Sequence, residues 1–261
     1  KHKYITLGSK GKEYLLENGF EVRSHCRNEN NIERLKVISD IASCFIQNNL
    51  TFTPSWNMKK EDEPTTYSRR YIGNLDYNEE NFLVYAIYEG KDDKYIKSIY
   101  HDIKKENGYA NAMIFTNNIE KIVLHEKGFH FGNQYTILIP YNEYGKFLMR
   151  HNYEVRHSIY LRIKEMYNVE LSDFRLADLK IDDDNYVVIM PLINMEILAR
   201  LHYYFNENDN YKNIYIFGIE EYERVIKQYL PKCEYVSLSK RKIDELLIKY
   251  RETGGEEDES L

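Results

Sequence analysis

One stretch, residues 68–107, constrains the fold of this chain most, because its periodicity changes from that of a strand to that of a helix. Two runs rich in β-branched and aromatic residues, 68–77 and 82–88, are separated by a polar turn at 78–81. Such a pattern predicts a β-hairpin. The second run is nearly all apolar, which is typical of a strand covered on both faces. Apolar residues then recur at helical spacing after Asp93, the expected N-cap, so an amphipathic helix follows the hairpin.

Glu89 and Lys91 stand at the junction between the second strand and this helix. Because successive strand residues face opposite ways, residues two apart share one face. A carboxylate and an ammonium together at the end of a buried strand can hold a metal ion and a scissile phosphate. The sequence therefore gives Glu89 and Lys91 as candidate catalytic residues, with Glu89 as the metal ligand. The alternative is a solvated strand end.

A metal site of this kind needs a second acid, and the hairpin does not offer one in the right place. Asp76 lies in the partner strand, but at ~3.3 Å per residue it is about 20 Å from Glu89. The positions that face Glu89 hold Arg69 and Arg70. Either the site has decayed or another segment supplies the acid. The candidates for that acid are Glu33, Asp40 and Asp62.

The rest of the chain alternates strands and helices. A strand at 110–116 follows the first helix, and residues 186–192, a helix capped by Asn194 and residues 214–218 repeat the same order at similar intervals. The pattern predicts an α/β fold with a mixed central sheet and flanking helices. Two related β-α-β halves would explain the repeat, and two ordinary β-α-β units are the alternative.

Composition limits the classes of function. The chain has 261 residues, a net charge of −6 and three scattered cysteines, which argues against a disulfide framework or a zinc site and favours the cytoplasm. No apolar run is long enough to span a membrane. Because the chain is acidic overall, nucleic-acid binding requires a local basic patch. The candidate DNA-binding residues are Arg69, Arg70 and Lys94.

Four features together resemble the replication-relaxation family of plasmid and phage proteins. They are a wing-like strand-turn-helix at 3–23, a helix from Asn31, the hairpin that begins Arg70-Tyr-Ile-Gly, and Glu89-Gly-Lys91. This family is similar to relaxases of the restriction-endonuclease type, which join a winged helix to a PD-(D/E)xK-like core. The resemblance covers roughly residues 3–140. It implies origin recognition, nicking, or assistance to either, with Mg²⁺ or Mn²⁺ as the cofactor if the core cleaves DNA.

These considerations predict four segments: a remnant of a winged-helix-like element at 1–25, a nuclease-like core at 26–150, a second α/β half at 151–252 and a disordered acidic tail at 253–261. The expected function is that of a cytoplasmic plasmid or phage DNA-processing protein, relaxase-like or accessory. Its partners would be DNA and other replication or mobilisation proteins, with no membrane. The alternative is a non-catalytic regulatory or protein-interaction module on the same scaffold.

Overall fold

Two β-sheets of mixed strand direction form the framework of the fold. This computed structural model describes residues 29–46, 50–55, 70–77, 80–88, 93–105, 111–125 and 135–252. The chain divides into two compact units, 1–39 and 40–261, and both sheets belong to the second unit. The predicted α/β class is confirmed.

Helices and strands alternate along most of the described chain. The helices are α1 (Glu29–Ile46), α2 (Asp93–Lys105), α3 (Ile119–His125), α4 (Glu143–Arg150), α5 (Asn152–Met166), α6 (Met195–Glu207), α7 (Glu223–Tyr229) and α8 (Lys240–Glu252), with a 3₁₀ turn at Glu220–Tyr222. The strands are β1 (Thr51–Pro54), β2 (Gly73–Tyr77), β3 (Glu80–Ile87), β4 (Asn111–Thr116), β5 (Thr136–Pro140), β6 (Glu170–Leu171), β7 (Leu179–Lys180), β8 (Asn185–Met190), β9 (Ile193–Asn194), β10 (Asn213–Ile219) and β11 (Glu234–Leu238). None of the helices in the described residues has the length and apolar character needed to cross a bilayer.

The same order of strand pairing occurs twice. The first sheet has the order β1-β2-β3-β4-β5-β9. The second, read in the corresponding direction, has the order β6-β7-β8-β10-β11. In the first sheet β1, β2 and β3 are antiparallel neighbours, while β3, β4 and β5 are parallel. In the second sheet β6, β7 and β8 are antiparallel, while β8, β10 and β11 are parallel. The repeat seen in the sequence therefore extends to the strand pairing.

The structure differs here from the single central sheet predicted from the sequence. The outer edge of β5 is paired with the two-residue strand β9, which runs antiparallel to it. The longer strands of the second half pair with one another instead, β8 lying between β7 and β10. The second half therefore builds its own sheet.

The core of the first sheet follows the predicted periodicity. Residues 84–87 of β3 are all 0% exposed, and because neighbouring side chains point to opposite faces, both faces of the strand are covered. On α2 the buried side chains are Ile96, Ile99 and Ile103, which lie on one stripe of the helix. The predicted buried strand and amphipathic helix are both confirmed.

The hairpin register decides where the acids of this region lie. Tyr77 pairs with Glu80, so the turn between β2 and β3 is two residues shorter than predicted. Asp76 pairs with Asn81, near this turn. The carboxyl end of β3 is at the opposite end of the hairpin. The prediction that Asp76 is too far away to complete a site beside Glu89 therefore agrees with the register.

Several predictions fall outside the described residues. They are the winged-helix remnant at 1–25, the side chains of Arg69, Glu89 and Lys91, and the acidic tail at 253–261.

Candidate functional site

The carboxyl ends of β3, β4 and β5 lie at one edge of the first sheet, because these strands are parallel. Tyr88 follows β3, Thr116 ends β4 and Pro140 ends β5. Ligand sites of open α/β sheets lie outside this edge. Glu89 and Lys91 come directly after Tyr88 in the chain. Since both are outside the described residues, their catalytic role stays a prediction.

Of the predicted DNA-binding residues, Arg70 lies close to the end of β3, and Lys94 belongs to the helix that follows. The backbone amide of Arg70 donates to Asp102 Oδ2 at 2.8 Å, and its guanidinium carbon is 5.5 Å from the centroid of the Tyr95 ring. Tyr95 in turn donates to the carbonyl of Ala86 in β3 at 3.3 Å. Lys94 is exposed in the first turn of α2, next to Tyr95. Arg70 therefore lies beside this strand end, and Lys94 is exposed one position before the tyrosine that Arg70 contacts.

A buried ammonium joins two carboxylates just beyond the carboxyl end of β5. Lys146 Nζ is 2.8 Å from Asp40 Oδ1 and 2.9 Å from Glu143 Oε1. Tyr141 donates its hydroxyl to the other Asp40 oxygen at 3.0 Å. We call Asp40, Tyr141, Glu143 and Lys146 the Lys146 cluster. Asp40 is one of the three acids that the sequence offered as a partner for Glu89. Glu33 is exposed, and Asp62 lies outside the described residues.

The turn from β5 into α4 positions this cluster. Asn142 is the N-cap of α4 and accepts from the backbone amide of Gly145 at 2.7 Å, which satisfies one of the unpaired amides at the helix start. Glu143 opens the helix and Arg150 lies in its last turn, so both charges suit the helix dipole. Lys146 follows one turn into the helix, where its side chain is 9% exposed.

The charges of the cluster hold its members in defined protonation states. Burial lowers the pKa of Lys146, but hydrogen bonds and charges from Asp40 and Glu143 outweigh this effect and raise it overall. Burial, followed by the charge and the hydrogen bond of Asp40, raises the pKa of Tyr141. At neutral pH Lys146 is therefore an ammonium and Tyr141 a neutral phenol.

Cys44 packs beside the cluster without a nucleophilic role. Its thiol lies 3.7 Å from the backbone carbonyl of Lys146, to which it donates. The residue is 3% exposed, and burial raises the pKa of the thiol despite the nearby charges of Arg150 and Lys146. A buried thiol of raised pKa is inert because the thiolate is the reactive form.

The described residues do not fit the Mg²⁺ or Mn²⁺ that the resemblance implies. Among them, no group of three or more His, Cys, Asp or Glu side chains has a spacing suited to a metal ion. The carboxylate of Asp40, one of the three candidate acids, already accepts hydrogen bonds from Lys146 and Tyr141. The Lys146 ammonium lies between the Asp40 and Glu143 carboxylates.

Asp40→Ala tests whether the cluster holds the strand end together. We expect it to lower the free energy of unfolding by about 2 kcal/mol, because it leaves the buried Lys146 with only an exposed partner. Glu143→Ala is the matched control, and since the Glu143 side chain is 87% exposed, we expect a loss below about 0.5 kcal/mol. Urea unfolding of both variants measures the difference. Equal losses would show that Asp40 has no special part in the cluster.

No family model, curated protein or solved structure matches this chain. The fold is that of a two-sheet α/β protein. Polar and ion-paired side chains lie at the carboxyl ends of the parallel strands of its first sheet.

Sequence reasoning missed three members of the Lys146 cluster. Tyr141, Glu143 and Lys146 lie in a polar, Tyr-rich stretch where no helix was predicted. A signal was present: Asn142 followed by an acid is typical of a helix start. Asp40 is more than 100 positions from its partners, with a separation of 106 to Lys146. Such a pairing is not readable from a single sequence.

Proposed function

We propose that this protein is a cytoplasmic DNA-binding accessory factor of plasmid or phage DNA processing, with a nuclease-like first sheet that does not cut DNA by itself. The observation that supports DNA binding is the position of Arg70 beside the end of β3, with a second cation, the exposed Lys94, in the first turn of the helix that follows. The chain enters Glu89-x-Lys91 directly from this strand. The order of hairpin, acid-x-Lys, helix and parallel strand is also the order that the family resemblance implies.

The charge distribution favours a local contact with DNA. The net charge of −6 opposes binding over the whole surface. Arg70 at the strand end and Lys94 in the helix that follows can still neutralise phosphates and release counterions. The Arg70 guanidinium lies against the Tyr95 ring, a cation–π contact that favours one orientation of the side chain.

The Lys146 cluster supports the non-cutting form of this proposal. Phosphodiester cleavage of the nuclease type needs two acids free to hold a metal ion. Asp40 is bonded to Lys146 and Tyr141 instead. The ammonium satisfies Asp40 electrostatically, so a divalent cation would have to displace it before binding.

DNA binding can be tested by fluorescence anisotropy with a labelled duplex between about 50 and 200 mM salt. We expect Arg70→Ala with Lys94→Ala to weaken binding about tenfold and to reduce the salt slope by about two, one for each lost phosphate contact. Arg241→Ala with Lys242→Ala removes the same charge from α8, where both residues pair with Glu245. If both double variants lost the same DNA affinity, the loss would come from the change in net charge and not from the position of Arg70 and Lys94. No binding by the unmodified protein would favour the regulatory or protein-interaction module.

Nicking of supercoiled DNA in Mg²⁺ or Mn²⁺ tests the second half of the proposal. We expect no nicking by the unmodified protein and no change in Glu89→Ala. Metal-dependent nicking that Glu89→Ala abolishes would contradict the non-cutting proposal and establish Glu89 as a catalytic residue. Nicking that persists in Glu89→Ala would remove Glu89 from the mechanism.

A further inference from the structure

Residues of α5 and α8 line a groove of about 380 Å³. The last turns of α8 lie on α5 beside this groove. Arg251 pairs with Glu154 at 2.8 Å, and the ring centroids of Tyr250 and His157 are 5.3 Å apart. The lining combines apolar and charged side chains, namely Ser158, Leu161, Arg162, Lys164, Glu165, Leu246, Lys249 and Tyr250. The groove therefore lies where the chain leaves α8.

The charged lining of this groove is mostly basic. Arg162 and Lys249 both contact the Glu165 carboxylate, Arg162 at 3.2 Å. Lys164 is exposed, and its ammonium lies 5.6 Å from the centroid of the Tyr160 ring. Three cations and one carboxylate leave two net positive charges in the lining, although the whole chain has a net charge of −6. The groove is thus opposite in sign to the protein as a whole and attracts anionic groups.

The sequence that follows α8 is strongly acidic. Gly254 and Gly255 come just after the helix, and four acids follow at 256–259. Glycine just after a helix favours a left-handed conformation that lets the chain turn back. The four to seven residues from Glu252 to these acids can span about 13–25 Å. Since Lys249 lies only about 4.5 Å back along the helix axis, the acids are within reach of the groove.

We propose that the groove between α5 and α8 binds the acidic segment 256–259 of the same chain. The segment supplies carboxylates to Arg162 and Lys249, whose side chains are 42% and 57% exposed. Leu261, just beyond the acids, suits the apolar part of the lining. Single exposed ion pairs are weak, so the contact depends on several charges and on the high local concentration of a tethered segment. The inference does not depend on DNA binding by the first sheet.

Disulfide cross-linking in the full chain tests the inference. We expect Leu161→Cys with Asp258→Cys to form an internal disulfide about tenfold faster than Ile248→Cys with Asp258→Cys, because the bound segment is held beside Leu161. Leu161 is half-buried in the groove, whereas Ile248 is 58% exposed and does not line it. Ile248 is also nearer to Asp258 along the chain. An unbound segment would therefore react first with the variant at Ile248.

Two precautions keep the cross-linking specific. Cys26→Ser removes a thiol that lies outside the described residues, while Cys44 and Cys233 are buried and stay in place. Lys164→Cys gives a second groove position for the case in which Leu161→Cys disturbs folding, since Lys164 is an exposed lining residue. Circular dichroism of each variant checks that it is folded.

Removing the charges should remove the preference for the groove. Replacing the other three acids of the segment with glutamine should make the two rates equal, as should about 1 M salt, where the Debye length is about 3 Å. Arg162→Gln with Lys249→Gln should have the same effect. Arg241→Gln with Lys242→Gln is the matched control, because it removes the same charge from α8 outside the groove, and it should leave the ratio unchanged.

Three results would overturn the inference. The first is cross-linking at Ile248 that is as fast as at the groove positions. The second is a preference for the groove that persists after the acids are replaced with glutamine. The third is formation of disulfide-linked dimers in place of closed monomers, which would assign the groove to the acidic segment of a second copy.

Discussion

Raising the pH above about 10 is expected to unfold this protein over a narrow range, because many of its tyrosines are held as neutral phenols. Burial is the largest cause of a raised pKa in each of them. The tyrosines concerned are Tyr141, Tyr144, Tyr222, Tyr229 and Tyr235. Burial also raises the pKa of Cys233 to about 12, and because an unfolded thiol ionises near about pH 8.5, its smaller loss begins earlier.

The sign of the effect follows from the unfolded chain. There the phenols ionise near about pH 10, whereas the folded protein keeps them protonated to higher pH. Their contribution to stability is therefore constant below that pH and is lost as the pH rises toward the folded pKa. Each fully buried phenol loses about 1.4 kcal/mol per pH unit. Tyr222 and Tyr235, at 2% and 8% exposure, together lose about 3 kcal/mol per unit.

Lys146 adds a loss of the same sign. Its folded pKa lies above its unfolded value because of Asp40 and Glu143, so its ion pairs stabilise the fold until the pH passes through that higher pKa. The summed loss from the buried phenols, Cys233 and Lys146 is comparable to the free energy of unfolding of an ordinary domain, about 5–15 kcal/mol.

Urea unfolding at stepped pH, with tyrosinate absorbance followed in parallel, measures this loss. We expect the free energy of unfolding to be flat from about pH 7 to pH 8, to fall slowly as the unfolded thiols ionise and to fall steeply above about pH 10. Tyr222→Phe with Tyr235→Phe should give a shallower fall, whereas the exposed Tyr203 can be replaced by Phe without changing it. A stability that stays constant through about pH 11 would contradict the burial of these phenols.

Local patterns predicted the elements of the fold well and their assembly less well. The apolar run that becomes β3 and the stripe on α2 are signals contained within one segment, and both elements form as expected. The two-sheet arrangement is a choice between partners. Among the described strands of the second half, β8 pairs with β7 and β10, and β9 is the strand that pairs with β5. Periodicity identifies a strand but not its neighbour, so the second sheet was not predictable.

The candidate site shows the same limit. The sequence identified Asp40 only as one of three acids, because its partners lie across the fold on α4.

Gly145→Ala is expected to lower the free energy of unfolding by about 3 kcal/mol or more, although alanine favours a helix over glycine by about 1 kcal/mol. A Cβ atom at this position would lie 2.0 Å from the backbone oxygen of Pro140 and 2.8 Å from its carbonyl carbon. Backbone atoms of a sheet strand cannot rotate away. The first turn of α4 would therefore have to separate from the end of β5.

The Lys146 cluster depends on this contact. Lys146, the centre of the cluster, follows Gly145 in α4. We therefore expect Gly145→Ala to disturb the ion pair of Lys146 with Asp40 as well as to lower stability.

Gly218→Ala is the matched comparison for this prediction. A Cβ there would meet the Tyr235 hydroxyl at 2.4 Å and the Met190 carbonyl oxygen at 2.9 Å. The closer of these atoms ends a side chain that can rotate, at the loss of its bond to the Ile219 carbonyl, so we expect a smaller loss of about 1–2 kcal/mol. Urea unfolding should rank the variants in that order. A Gly145→Ala protein as stable as the unmodified chain would mean that helix propensity outweighs the overlap, and that the close approach of α4 to β5 does not exist in solution.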